Sequence, residues 1–198
     1  SYAFKFSTLE GETAPWHEGL KWRKRVDGKS AAMLRVTQLV KHLQAACCLV
    51  LHGFTGMRVS ELCGLRAGID QKTGLPVDVE MRLSPTGYNE EFTLKSEMSK
   101  GQRSPREVSW LLGSRRVGDN ELPIGVRALL ILNQLLDPYR ALLGTDRLLV
   151  SIGTKGGLPK KASSVYPITG ERINRLLRAF ISEWVDLSKL SNESRHAT

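Results

Sequence analysis

The hydrophobic period of this 198-residue chain changes twice along its length, which sharply limits the folds open to it. From Ser30 onward, Val36, Leu39, Val40, Leu43, Cys47, Val50 and Leu51 recur at three- and four-residue intervals, which predicts an amphipathic helix. Ser30 can cap its start, and Gly53 is expected to end it. Thr55-Gly56 can then cap a second helix from about Met57, with Val59, Leu62 and Leu65 facing inward. From Val79 the period falls to two. Val79, Met81 and Leu83 alternate, as do Phe92 with Leu94, and Val108, Trp110 and Leu112, with turn residues Pro85, Gly87 and Gly101 between them. Three short strands in an antiparallel meander follow from that pattern. Pro123 opens a third helix whose inner stripe is Leu129, Leu132, Leu136, Tyr139 and Leu143, and Gly144 closes it. After a Gly/Pro/Lys-rich connection at 153–162, Thr169 can cap a fourth helix that buries Ile173, Leu176, Leu177, Phe180, Ile181 and Trp184. The expected class is α+β: mainly α, with a small three-stranded antiparallel sheet. Residues 1–30 read as an irregular N-terminal arm and 31–198 as the domain.

The charge is uneven. Lys and Arg number 29 against 20 Asp and Glu, a formal net charge of +9. Lys21, Arg23, Lys24, Arg25, Lys29, Arg35 and Lys41 gather around a single acid, Asp27. A second group, Lys155, Lys160, Lys161, Arg172, Arg175 and Arg178, has only Glu171. Such clusters can neutralise nucleic-acid phosphates, or simply form solvated helix faces. No apolar run approaches the roughly 20 residues of a membrane span, and no secretory leader pattern is visible. Cys47, Cys48 and Cys63 lack metal-ligand spacing and are odd in number, so the cytoplasm is the expected location. His17, His42 and His52 are too scattered to form a metal set. Trp16 and Trp22 flank a basic run, where they could stack on bases or anchor the arm.

The string LHGFTGMRVSELCGLR, residues 51–66, carries the most chemistry. It puts Arg58 in the opening turn of a helix with Glu61 three residues on, so the carboxylate can orient the guanidinium. An exposed pair of this kind stabilises a helix by only about 0.2–0.5 kcal/mol. An oriented guanidinium fork also suits a phosphate oxygen. From the spacing alone, a surface ion pair after a tight turn remains the alternative.

Thr55, Gly56, Arg58, Ser60, Glu61 and Leu62 match six of the eight positions of Thr-Gly-x-Arg-x-Ser-Glu-Leu, and the stretch resembles the first arginine motif of the tyrosine recombinases, the phage-integrase family. The order helix, three-stranded meander, two helices is similar too, over roughly residues 31–188. The resemblance implies a partial recombinase catalytic domain that acts in site-specific DNA recombination or integration. A tyrosine hydroxyl attacks a DNA phosphate, giving a 3′-phosphotyrosine intermediate that a 5′-hydroxyl later resolves, without metal or other cofactor. On this likeness Arg58 grips the scissile phosphate and Glu61 supports it. Lys100, in Ser99-Lys100-Gly101 between the second and third strands, becomes the general acid, with Lys95 the weaker alternative. The implied partners are double-stranded DNA and further copies of the chain on that DNA, with no membrane. The implied location is cytoplasmic and nucleoid-associated.

The match has gaps. The family's second motif, His-x-x-Arg, its following His or Trp, and its nucleophilic tyrosine have no convincing counterpart in this chain. Arg195-His196 shares only the Arg-His step, with Asn192 where the motif's histidine belongs. Tyr2, Tyr88, Tyr139 and Tyr166 all precede the nucleophile's expected place. This chain alone is therefore not expected to complete strand exchange. The alternative is a catalytically inactive, recombinase-like DNA-binding module; a basic RNA-binding domain is a third option, without the aromatic strand motifs that would support it.

Overall fold

The computed structural model describes residues 31–98, 106–153 and 157–185, together with residues 8, 10, 11, 13 and 14. The expected Ser30 cap, Trp16, Trp22 and most of the arm lie outside the described residues. The fold is mixed α+β. Its order is α1 (Ala31–Thr55), α2 (Val59–Gly64), β1 (Val79–Leu83), β2 (Asn89–Met98), β3 (Arg106–Arg116), α3 (Ile124–Leu143), β4 (Val150–Ile152), β5 (Val165–Pro167) and α4 (Gly170–Trp184). A single 3-10 turn, Ala162–Ser164, precedes β5. β1, β2 and β3 form the expected antiparallel meander. The two-stranded antiparallel sheet of β4 and β5 has no forecast in the sequence, because three-residue strands are too short to show a period.

The core lies where α1 and α3 pack on each other and on β3. Leu51 from α1, Leu62 from α2, Phe92, Leu94 and Leu112 from the sheet, and Leu129, Leu132 and Leu136 from α3 are essentially inaccessible. Cys47 and Cys48 join them, and burial pushes their thiols up to about 11 and about 12. A bulge breaks the β2–β3 ladder: Phe92 pairs with Gly113 and Thr93 with Leu111, leaving Leu112 as the extra residue. The backbone there is crowded. Gly113 has φ 139°, and a Cβ on it would stand 2.7 Å from Pro123. One on Gly125 would stand 2.6 Å from the Leu112 carbonyl oxygen. Both glycines allow the start of α3 to lie directly against β3.

Several expectations need correction. α1 runs through Gly53 to Thr55. Gly56, at φ 64°, ends it by donating its N–H to the His52 carbonyl at 2.9 Å, since the left-handed conformation comes only there. Thr55 does not cap α2; Arg58 occupies that position. On β1 even Val79 is only partly buried. Met81 is 45% and Leu83 65% exposed, because β1 is an edge strand and the helices pack on β2 and β3. In α4 the cap is as expected, with the Thr169 hydroxyl accepting from Arg172 N–H at 3.4 Å. Of its forecast inner face, however, only Ile173 is buried, and the others are partly exposed. The far end of α4 meets α1 through polar contacts: Trp184 Nε1 donates to His42 Nδ1 at 2.6 Å, and Phe180 packs edge-on to the same imidazole.

A polar bolt crosses the core. The buried Arg140 guanidinium donates through Nη1 to the Leu132 and Leu148 carbonyls, both at 3.3 Å, and through Nη2 to Asn133 O at 2.6 Å. Asn133 in turn accepts the Gly68 N–H at 2.7 Å and donates to Leu129 O at 3.1 Å. The loops after α2 and after α3 are thereby fixed to one helix. Arg140→Met is expected to lower stability by about 3 kcal/mol, as buried carbonyls lose their donor. Arg140→Lys should recover only part of this, because an ammonium cannot span the same fork. Urea denaturation midpoints of the three proteins check it.

Candidate functional site

The site begins at the reversal between α1 and α2. Thr55 Oγ1 donates to Leu51 O at 2.6 Å and accepts the Met57 N–H at 3.2 Å, while His52 Nδ1 donates to Met57 O at 2.9 Å. These bonds close a three-residue turn that drops Met57 into the core and brings Arg58 out. Arg58 is extended, at φ −71° and ψ 154°, and its carbonyl accepts the N–H groups of Glu61 and Leu62, both at 3.0 Å. Glu61 answers: its Oε2 accepts the Arg58 N–H at 2.7 Å, and its Oε1 lies 3.5 Å from Arg58 Nη1. The Glu61 side chain is 8% exposed and that of Arg58 55%. A buried carboxylate therefore fixes both the backbone and the guanidinium of a residue that faces solvent. Its place in the first turn of α2 also suits the helix dipole.

The rest of α2 is held from behind. Leu62 and Leu65 are buried, Arg147 Nη1 donates to Gly64 O at 2.6 Å, and the Leu148 N–H donates to Leu65 O at 2.8 Å. Beside it opens a cavity of about 830 Å³, lined by Ser60 and Glu61 on one side and by Lys95 and Ser96 of β2 on the other. The sequence pairing of Arg58 with Glu61 is thus realised in space. Lys100, four residues past Ser96, lies outside the described residues, as do Arg195 and His196.

Lys95 is described, and its surroundings suit structure. Its Nζ lies 2.5 Å from Glu80 Oε1 and 3.8 Å from Glu107 Oε1, on the sheet face opposite Phe92 and Leu94. The hydrogen bond that the Lys95 ammonium donates to the Glu80 carboxylate raises the Lys95 pKa and lowers that of Glu80. A lysine held this way gives up its proton less readily than a free one. Of the tyrosines, Tyr139 is buried in the expected core stripe. Tyr166 donates its hydroxyl to Ser163 O at 2.8 Å, and Tyr88 is exposed in the turn before β2. Among the described residues, no group of three His, Cys, Asp or Glu side chains is placed to hold a metal ion.

A second grouping brings together residues far apart in the chain. α4 starts beside α2, where a Cβ on Gly170 would come within 3.1 Å of Val59. Arg172 of that first turn reaches the neighbourhood of Lys41 on α1, so members of two separate basic clusters share a cleft. No family model matches the chain, and no curated protein or solved structure matches it either.

Glu61→Ala removes the charged acceptor of the Arg58 N–H and is expected to cost about 1.5–3 kcal/mol of stability, the range for a hydrogen bond to a charged group. Glu61→Gln keeps an oxygen at the same place and should lose less. Chemical denaturation of both variants provides the measurement.

Proposed function

We propose that this chain is part of a tyrosine-recombinase-type DNA strand transferase in which Arg58 binds the scissile phosphodiester. The observation that carries the reading is the solvent-facing Arg58 guanidinium backed by the buried Glu61 carboxylate. The Glu61 carboxylate stabilises the helix start through the Arg58 N–H, whereas its 3.5 Å contact with the exposed guanidinium contributes little to stability but holds a bidentate donor in position for an oxyanion. The motif likeness at residues 55–62 and the order of helices and meander support the same reading.

In the proposed step a tyrosine oxygen bonds to phosphorus as the bond to the 5′-oxygen breaks. Arg58 stabilises the charge building on the nonbridging oxygens, and Lys100 donates a proton to the departing 5′-oxygen. The phosphotyrosine conserves the energy of the broken bond, so a 5′-hydroxyl can reverse the reaction. None of the chain's four tyrosines is assigned as the nucleophile: Tyr139 is core, and the Tyr166 hydroxyl is engaged by Ser163. That same observation favours a second reading, a DNA-binding module that lacks the chemistry. Double-stranded DNA, self-association on it, and a nucleoid-associated location belong to the proposal. Among the described residues no helix is long and apolar enough to cross a membrane.

Protein made from the complete reading frame, incubated with a nicked duplex, should yield a covalent protein–DNA adduct detectable by mass spectrometry. Arg58→Ala is expected to slow adduct formation by about 10²–10³-fold, the usual effect of losing one transition-state donor. Lys100→Ala should slow it by about 10²–10⁴-fold, while Lys95→Ala leaves the rate nearly unchanged. Cleavage undiminished in Arg58→Ala would overturn the assignment; tight duplex binding without any adduct would favour the binding module.

A further inference from the structure

Between α1, the β4–β5 sheet and the first turns of α4 lies a cleft of about 430 Å³. Lys41, Arg172 and Arg175 line it, together with Gln38, Ser151 and Tyr166. Arg175 already has a partner, Glu171, at 2.6 Å. Lys41 and Arg172 differ: no described carboxylate lies within ion-pair distance of either. The other nearby acid, Glu183, is engaged by Gln38 Nε2 at 2.6 Å and lies 3.7 Å from His42 Nε2.

The two unneutralised cations are close enough to oppose each other. Burial first, and the Arg172 charge second, hold the Lys41 ammonium below the usual lysine value. Arg172 is also fixed in place. Its Nη1 donates to Ser151 Oγ at 2.8 Å, and its guanidinium carbon stands 5.0 Å from the centre of the Tyr166 ring. That Ser151 bond is the one protein hydrogen bond recorded for the guanidinium among the described residues, so most of its five donors have no protein acceptor. Two cations lining one half-buried cleft, with nearby carboxylates engaged elsewhere, are destabilising unless an anion joins them.

We propose that Lys41 and Arg172 form a phosphate-binding site, with Ser151 and Tyr166 holding the guanidinium in the orientation that receives the oxyanion. An arginine fork beside a lysine point charge suits a phosphate oxyanion, and the cleft can admit a phosphate with part of its ester group. The phosphate can come from a duplex backbone or from a free ligand. The duplex source rests on the DNA reading proposed above, and the free-ligand source does not.

The test takes this chain with Lys41→Gln, Arg172→Gln and, as a folding control that keeps the charge, Lys41→Arg. In one arm, pyrophosphate is titrated at constant ionic strength while the arginine Nε–Hε resonances are followed by NMR. A saturable shift of the Arg172 signal is expected, about tenfold weaker in Lys41→Gln and retained in Lys41→Arg. In the other arm, duplex affinity is measured across salt concentrations, and each neutral variant should lower the log–log slope by about 0.9. A lower slope, with or without the pyrophosphate response, identifies the duplex as the source. A saturable response with an unchanged slope identifies a free phosphate ligand. If the wild-type chain ignores duplex DNA yet binds pyrophosphate at Arg172, the DNA reading falls and the site stands. No saturable shift and no change in slope would overturn the proposal.

Discussion

The buried guanidinium of Arg140 is the contact on which the arrangement of this domain depends. An uncharged side chain there could fill the volume, but it could not supply donors to carbonyls of α3 and of the strand approach at Leu148 together. Removing the charge from water is costly, and desolvation lowers the pKa of the group accordingly. The multiple hydrogen bonds offset that cost and fix one geometry. Asn133, two turns earlier on the inward side, extends the network to Gly68. Two chain segments far apart in sequence, those leaving α2 and α3, are therefore registered against each other. The Ala67 N–H donates to Asp146 O at 2.7 Å as the visible result.

That register sets where Arg58 stands. α2 has only six residues and too few internal hydrogen bonds to be stable alone. Its orientation comes from Leu62 and Leu65 in the core and from Arg147 at its last carbonyl. The exposed guanidinium at its start is consequently rigid at the base and supported by Glu61 at the tip. Rigidity of this kind matters for any ligand that must be met by a fixed donor, because less ordering remains to be done at the moment of binding.

Much of this was readable from the residues. The period change located the meander, and TGMRVSEL placed Arg58 and Glu61 on adjacent positions of one helical start. The rest depended on information that periodicity does not contain. Met81 and Leu83 alternate as a strand should, yet alternation does not say whether a neighbouring helix extends far enough to cover them. Gly53 looked like a stop because glycine often is one, but the left-handed residue is Gly56. The pairing of β4 with β5 and the approach of Lys41 to Arg172 arise only after the chain has closed on itself. Local sequence carries no trace of such contacts. Lys95 shows the reverse case: its type alone admits catalysis, and its two carboxylate neighbours explain it as a cross-strand tie.

The adjacent thiols of Cys47 and Cys48 bear on how the molecule can be observed. With burial raising them to about 11 and about 12, almost no thiolate exists near neutrality, and neither sulfur is open to a reagent while α1 is packed. Unfolded chains regain ordinary cysteine reactivity. The pair consequently serves as an internal reporter of opening events, so that the pace of alkylation would record how often the helical interior is laid bare, without any dye or tag having been added.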